Sequence, residues 1–277
     1  MNKINEHYLK LVEDTILSSI HKYNYSPLIY NKKNLLKNLF KFFLKIFFNN
    51  DQKEITIKSK IKDEDIEDGL IRGTNSFSMI GLKRLKNIRY LIEKINKEKI
   101  SGDLIEAGIW KGGVIIYMRA CLLSLNMNNK VFGADSFAGL PEIDDQTYPE
   151  DKIYRKILKN GNDKGLIISE DEVIENLNKF GFHDDNTILL KGWFNETLKD
   201  ERINKISLLR IDGDMYKSTY EALDLLYHKV SKGGYVVIDD YGLKSQACKK
   251  AVDDFRKEKD INSELINIDW SGIYWKK

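Results

Sequence analysis

Residues Ile206 to Asp240 open with ISLLRIDGDMYKST and close with KGGYVVIDD. Two short runs rich in Ile, Leu and Val each end in acidic residues, Asp212 and Asp214 after the first, Asp239 and Asp240 after the second. Such runs read as buried parallel strands. Between them Tyr220, Leu223, Leu226, Tyr227 and Val230 recur at helical spacing, so the expected order is strand, helix, strand. A crossover of this kind brings the C-terminal ends of both strands to one edge, where open α/β sheets bind ligands. Four carboxylates are expected to converge there. Held together, they need a counter-cation, a shared proton or intervening water. A magnesium ion, which takes hard oxygen ligands, is the simplest answer. Acidic residues also cap helices that follow strands, but two doublets at equivalent ends of neighbouring strands favour a shared site.

Upstream, GDLIEAGIWKGGVIIYMRACLLSL runs from Gly102 to Leu125. Leu104 to Ile109 can form a strand, and from Val114 the apolar pattern turns helical. Glu106, Gly108, Gly112 and Gly113 fall at or near the turn between them, where glycine lets backbone approach a ligand and free helix N–H groups attract an anionic group. The spacing is not that of the dinucleotide fingerprint. A second strand, KVFGADSF, carries Asp135 at its end, placed to accept hydrogen bonds from both ribose hydroxyls of a nucleoside. Next, AGLPEIDDQTYPEDKIYRKILKNGNDKG reads as an extended loop of the kind that forms lids. Ser169 to Glu172 open a helix with Ser169 as N-cap and Glu172 closing a capping box. A third strand spans Thr187 to Lys191; beyond it Trp193 can either stack on an adenine or serve as a core aromatic. After Asp240 comes a helix with Ala247, Ala251, Val252 and Phe255 inward, then a hairpin turning at Ser271 and Gly272.

The first 67 residues are of different composition, with no glycine before Gly69. Tyr8, Leu11, Val12, Ile16 and Ile20 suggest an amphipathic helix. Leu35 to Phe48, LLKNLFKFFLKIFF, is too short to span a bilayer and is broken by Lys37, Lys41 and Lys45. It reads either as a helix packed on the core or on a second subunit, or as a peripheral membrane contact. Asp51 to Asp68 reads as a polar linker. Thr74, Asn75, Ser76 and Ser78 then precede a helical pattern from Leu82 to Lys99, as a helix entry or as a loop over a ligand.

In this order GDLIEAGIWKGG, ADSFAGLP, KGWFNETL, LLRIDGDMYKSTYEALDLLY, SKGGYVVIDDYG, AVDDFR and IDWSGIYWKK resemble the macrocin and mycinamicin O-methyltransferase family, which includes the novobiocin sugar O-methyltransferase. The resemblance runs from about Gly73 to Lys277. It implies a class I methyltransferase domain over 73–277, an α/β fold with a seven-stranded, mostly parallel, Rossmann-like sheet covered by helices on both faces, behind an N-terminal helical arm and linker over 1–72. It implies S-adenosylmethionine and Mg2+ as cofactors and methylation of a sugar hydroxyl on a glycosylated natural product, a nucleotide sugar or a surface glycan. By resemblance Asp212, Asp239 and Asp240 are metal ligands and Asp214 the general base. Ser78, Met79, Ile80, Glu106, Gly108, Gly112, Asp135, Ser136 and Trp193 make up the expected cofactor site. Ala107 and Ile109 stand where the family pattern implies Thr and Val. Asn31 to Asn50 has no counterpart in it, which leaves the acceptor open.

The chain has 277 residues, and its 42% hydrophobic content supports a sizeable core. Its 45 basic and 42 acidic residues leave a net charge of +3, which gives no case for a nucleic-acid partner. Cys121 and Cys248 match no metal or redox spacing, and there is no signal-peptide pattern, so a cytoplasmic protein is expected, with a small-molecule or glycan acceptor and a homo-oligomeric state. An NAD-dependent sugar oxidoreductase and a non-catalytic nucleoside-binding scaffold are the rival classes.

Overall fold

The computed structural model describes residues 2–20, 23–27, 56–71, 75–159 and 162–277. Leu35 to Phe48 lies outside the described residues. A seven-stranded sheet has the order β5-β4-β3-β6-β7-β9-β8, and β1 (Tyr23–Pro27) and β2 (Thr56–Lys60) form a separate antiparallel ribbon. The five strands β3 (Asp103–Ala107), β4 (Val131–Asp135), β5 (Thr187–Lys191), β6 (Ile206–Ile211) and β7 (Val230–Ile238) pair in parallel. The tail strands β8 (Ile266–Asn267) and β9 (Ile273–Lys276) add antiparallel, joined through the turn expected at Ser271 and Gly272.

Chain order explains where a ligand can bind. From β3 the chain moves outward to β4 and β5, then returns to place β6 on the other side of β3. The crevice at that reversal is where doubly wound sheets receive ligands. Both faces of the sheet are covered. Helices Lys3–Ile16, Leu82–Glu98, Gly113–Ser124 and Glu170–Lys179 bury Ile16, Leu85, Ile92, Ile116 and Leu177 against one face; Tyr216–Leu226 and Ala247–Glu258 bury Leu223, Val252 and Phe255 against the other. Alternation along β6 sends Leu208 to the first core and Leu209 and Ile211 to the second.

The amphipathic N-terminal helix forms, with Val12 and Ile16 buried and Tyr8 packed on the core as its periodicity suggests, but the buried face is turned away from Leu11. Leu9, Val12 and Ile16 are buried, whereas Leu11 is 60% exposed and Ile20, beyond the helix end, 57%. Positions 9, 12 and 16 recur at one helical face, and Leu11 falls off it. The helix packs on Gly113–Ser124, where the Tyr117 hydroxyl donates to buried Glu13. Part of the expected linker is also ordered. Its Thr56–Lys60 pairs with Tyr23–Pro27, a partner remote in sequence, and Asp63–Asp68 forms a helix with three acidic residues in its first turn and Gly69 left-handed at its end. Ile61 and Ile66 are buried.

The segment read as an extended loop contains short helical turns at Pro149–Tyr154 and Arg155–Lys159. It is pinned by Asp151, whose oxygens accept the Tyr216 and Lys217 amides at 2.6 and 3.1 Å. Ser169 caps the helix Glu170–Lys179 through the Glu172 amide, as its position suggests, while the Glu172 carboxylate lies 3.8 Å from Lys111 Nζ. Both cysteines are buried and free. Among the described residues no helix is long and apolar enough to cross a membrane.

Candidate active site

Four residues stand one step past the end of a strand, and their amides continue the sheet ladder. Gly108 N–H donates to Ala134, Asp212 to Ala107, Asp239 to Ile211 and Gly192 to Asp135, at 2.8 to 3.0 Å. This fan sets their positions along one edge. A cavity of about 440 Å³ opens there. Met79, Gly108, Asp135, Ser136, Trp193, Asp212 and Asp214 line it. Of the other expected cofactor residues, Ser78, Ile80 and Glu106 are buried and do not line it, and Gly112, the N-cap of the helix Gly113–Ser124, does not line it either.

Gly108 is a position where backbone geometry decides the residue. Its φ is +91°, and a Cβ there would come within 2.0 Å of the Asp212 carbonyl oxygen. The missing side chain lets β3 and β6 close at the switch point. Gly108→Ala is expected to cost about 1–3 kcal/mol from strain alone, read as a lowered unfolding midpoint together with loss of nucleoside binding. Gly113 has the same logic one turn on, where a Cβ would meet the Phe77 carbonyl at 2.4 Å. That contact, with Gly113 N–H donating to Phe77, seats the Ser78 to Ile80 loop beside the cavity. Ser76 donates to the Ile16 and Ser78 carbonyls, and Gly81 is the N-cap of Leu82–Glu98, so Asn75, Ser76 and Ser78 belong to a loop and not to the helix cap, while Thr74 lies outside the described residues.

Asp135 is more committed than its position suggests. Its Oδ2 accepts the Ile109 and Trp110 amides and its Oδ1 the Phe137 amide. A carboxylate has about four acceptor positions, so at most one remains for a ligand hydroxyl and not the two expected for a ribose diol. Burial raises its pKa, and these amides oppose the rise.

Asp212, which lines the cavity, and the buried Asp239 and Asp240, which do not, each present an oxygen within 4.8 Å of the others. Two arginines are built into this corner, Arg210 from within the LLRIDGD run and Arg84 from a helix outside the family motifs. Arg210, 1% exposed, pairs with Glu106, with Asp239 and, at 3.0 Å, with Asp212. Glu106 and Arg210 are direct neighbours in register across β3 and β6, the arrangement in which opposite charges meet on one sheet face. Arg84, in the first turn of Leu82–Glu98, pairs with Asp239 and Asp269. Burial disfavours the Asp239 anion, but the two guanidiniums hold its pKa below the ordinary carboxylate value. The other acids are pushed the opposite way. Asp212 is raised by burial and by the Asp239 charge; Asp240 is raised well above its ordinary value by burial and by Asp214, Asp212 and Asp239. Burial lifts Glu106 to about 8 against the pull of Arg210.

Asp214 is set apart from its neighbours. It lies at φ +54°, its amide donates to Asp240 Oδ2 at 3.1 Å and its carbonyl accepts the Tyr154 hydroxyl at 2.8 Å. The N-cap of Tyr216–Leu226 is Met215, and the side chain that takes the helix amides is Asp151. Asp214 is therefore free of the capping duty its sequence position allowed. Asp214 lines the cavity, and its carboxyl is pushed up to about 7, first by burial and then by Asp212 and Asp239.

With this geometry in place, a family model for macrocin-O-methyltransferase (TylF) matches residues 5–277. The chain belongs to the macrocin O-methyltransferase family. The match starts well before Gly73 and takes in the N-terminal region that the motifs leave unplaced. The demethyldecarbamoylnovobiocin O-methyltransferase of Streptomyces niveus is 39% identical over 230 residues, covering 83% of this chain and 85% of that protein. A tetracenomycin-C 4'-O-methyltransferase of Streptomyces olivaceus, whose named substrate carries a dimethoxy-rhamnosyl group, is 38% identical over 200 residues, 72% of this chain and 75% of that one. The solved O-methyltransferase NovP superposes with a TM-score of 0.80 at 33% identity and covers 99% of both chains. The protein is an O-methyltransferase with the seven-stranded methyltransferase fold. An oxidoreductase and a scaffold are thereby set aside.

The remaining wall of the methyltransferase's cavity comes from residues that stand in or beside the family motifs without a site role of their own among the expectations. Leu140, Pro141 and Glu142 of the lid segment, and Lys217, Ser218 and Glu221 one turn along the helix after Asp214, face the same space. Trp110, at φ +48°, reaches across it to donate from its indole to the Gly165 carbonyl. Only the run of residues 217, 218 and 221 on one helical face hints at a shared surface.

Proposed function

We propose that this enzyme transfers the methyl group of S-adenosylmethionine to a sugar hydroxyl of a glycosylated small molecule, with Mg2+ held by Asp212, Asp239 and Asp240 and with Asp214 as the base. The observation that carries the reading is the trio of carboxylate oxygens within 4.8 Å, set beside a cavity on whose wall Asp214 lies. The residues fit a hard divalent ion. Arg210 and Arg84 between them pair with Glu106, Asp212, Asp239 and Asp269, so carboxyl groups outnumber guanidiniums in this corner, and Asp240, which is in neither arginine's ion pairs, is raised well above its ordinary pKa. A cation relieves that excess. The rhamnosyl group in the substrate of the Streptomyces olivaceus relative supports a sugar acceptor.

When bound, the cofactor supplies the methyl group on a sulfonium and the metal supplies a Lewis acid that acidifies and orients the acceptor oxygen. The chain's residues do the rest. Gly108 leaves the backbone close to the ligand, and the remaining acceptor position of Asp135 takes one ribose hydroxyl. Trp193, 38% exposed on the cavity wall, offers a face to the adenine. Gly139 to Glu142 and Leu166 border the cavity and limit water. Asp214 removes the hydroxyl proton, a step that typically contributes ~10²–10⁴-fold.

The base must be unprotonated to act. With its pKa raised from 3.8 to about 7, kcat/KM is expected to rise with pH up to about 7, and at or below that value with metal bound, because a nearby cation favours the carboxylate. A flat profile from pH 5 to 8 argues against Asp214. Calorimetry with S-adenosylmethionine and with Mg2+, followed by intact mass of glycosides incubated with enzyme and donor, tests the reading as a whole. A gain of one methyl group that is lost on chelation supports it; tight donor binding with chelator-resistant methylation removes the metal.

A further inference from the structure

The closing IDWSGIYWKK carries part of the resemblance yet supplies no residue to the cavity. Its turn encloses Asp239. Asp269 Oδ2 accepts from Arg84 Nε at 2.7 Å, and Arg84 Nη1 pairs with Asp239 Oδ2. The other Asp269 oxygen accepts the amides of Ser271 and Gly272 at 2.9 and 2.7 Å. The Ser271 hydroxyl donates to the carbonyl of Asp239 itself at 2.7 Å. The contacts close a ring: carboxylate of Asp239, Arg84, Asp269, turn backbone, Ser271, backbone of Asp239. The Trp270 indole lies 5.4 Å from the Arg84 guanidinium and donates to the Asp68 carbonyl at 2.8 Å, which ties the ring to the helix Asp63–Asp68. Arg84 and the Asp269 side chain are buried.

We propose that Arg84 and Asp269 are positioning residues for the metal: the ring fixes the orientation of the Asp239 carboxylate so that its oxygen meets those of Asp212 and Asp240. The inference rests on the metal reading given above and goes past it, since neither residue is a ligand. Groups that orient a ligand from behind typically change metal affinity 10–100-fold when removed. The sign of the effect separates positioning from simple charge balance. Arg84 is a cation beside a cation site, so if it only neutralised charge, its loss would tighten metal binding. If it positions Asp239, its loss weakens binding although a repelling charge has gone.

The test is calorimetric titration of the apoprotein with Mn2+, a spectroscopically visible stand-in for Mg2+, on the wild type, Arg84→Met, Arg84→Lys and Asp269→Asn. Arg84→Met is expected to weaken Mn2+ binding roughly 10–100-fold, with S-adenosylmethionine binding unchanged. Arg84→Lys, which can reach one carboxylate but not grip two, is expected to fall between. Asp269→Asn retains an oxygen for the Ser271 and Gly272 amides, so the turn survives, and places an amide or a weaker acceptor against Arg84. It is expected to weaken Mn2+ binding in the same direction, and the double variant Arg84→Met with Asp269→Asn to add little, because both act through one contact. Unchanged or tighter Mn2+ binding in Arg84→Met overturns the proposal; should that variant not fold, unchanged binding in Asp269→Asn does so. Failure of the wild type to bind Mn2+ at all is a different result and removes the metal reading itself.

Discussion

Asp214→Asn is expected to lower kcat by ~10²–10⁴-fold while S-adenosylmethionine binds within about twofold of wild type, the donor pocket being formed by other residues. Asparagine is the informative replacement because it tolerates the left-handed backbone at φ +54°. The amide that Asp240 accepts and the carbonyl that Tyr154 donates to are backbone atoms and stay in place. The side chain keeps its size and loses only the ability to take a proton. Asp151 still caps the following helix, so the loss cannot be ascribed to fraying. The rise of kcat/KM with pH toward about 7 should vanish with the carboxyl. Single-turnover rates with saturating donor and metal read both effects, and a variant within threefold of wild type would move the base elsewhere.

Arg210→Met carries the largest expected cost in stability, about 3–5 kcal/mol, the range for removing one partner of a buried ion pair. Methionine fills much of the volume, but Glu106, Asp212 and Asp239 lose their common cation. The pH dependence has a definite sign. An acid whose folded-state pKa lies above its unfolded value binds more protons in the native state, so stability declines as pH rises between the two values. Glu106 already sits at about 8 against its usual 4.5 with Arg210 present. Without the guanidinium the folded values of these acids climb further. The gap between variant and wild type should therefore widen from pH 5.5 to pH 8.5, read by denaturant unfolding at both. A divalent ion should narrow it by restoring positive charge to the corner. A gap that shrinks toward high pH would show that Arg210 is not what stabilises the acids.

Much of the catalytic edge was written in local sequence. The runs ending at Asp212 and Asp239 are buried strands because they are short, β-branched and followed at once by polar residues, and the helix between them fixes their parallel sense. Gly108, Asp135 and the two acidic doublets stand where those patterns end, so their arrival at one edge follows from the crossover rule. Periodicity failed where a helix had alternative apolar faces, as at Leu11, and where pairing came from far away, as in β2. Neither choice is decided by neighbours within one or two turns.

The sequence by itself determined the strand–helix–strand unit, the acids at its edge and the family; the strand order came with the tertiary structure. Only the tertiary structure decided which of those acids are neutralised: Arg210 stands two residues before Asp212 yet also reaches Glu106 and Asp239, and Arg84 comes from a helix 155 residues before Asp239. It also decided that Asp151, not Asp214, serves the helix amides, and that backbone amides occupy most of Asp135. Charge and hydrogen bonding act through space over a few ångströms, and such distances between remote residues exist only once the two cores have packed.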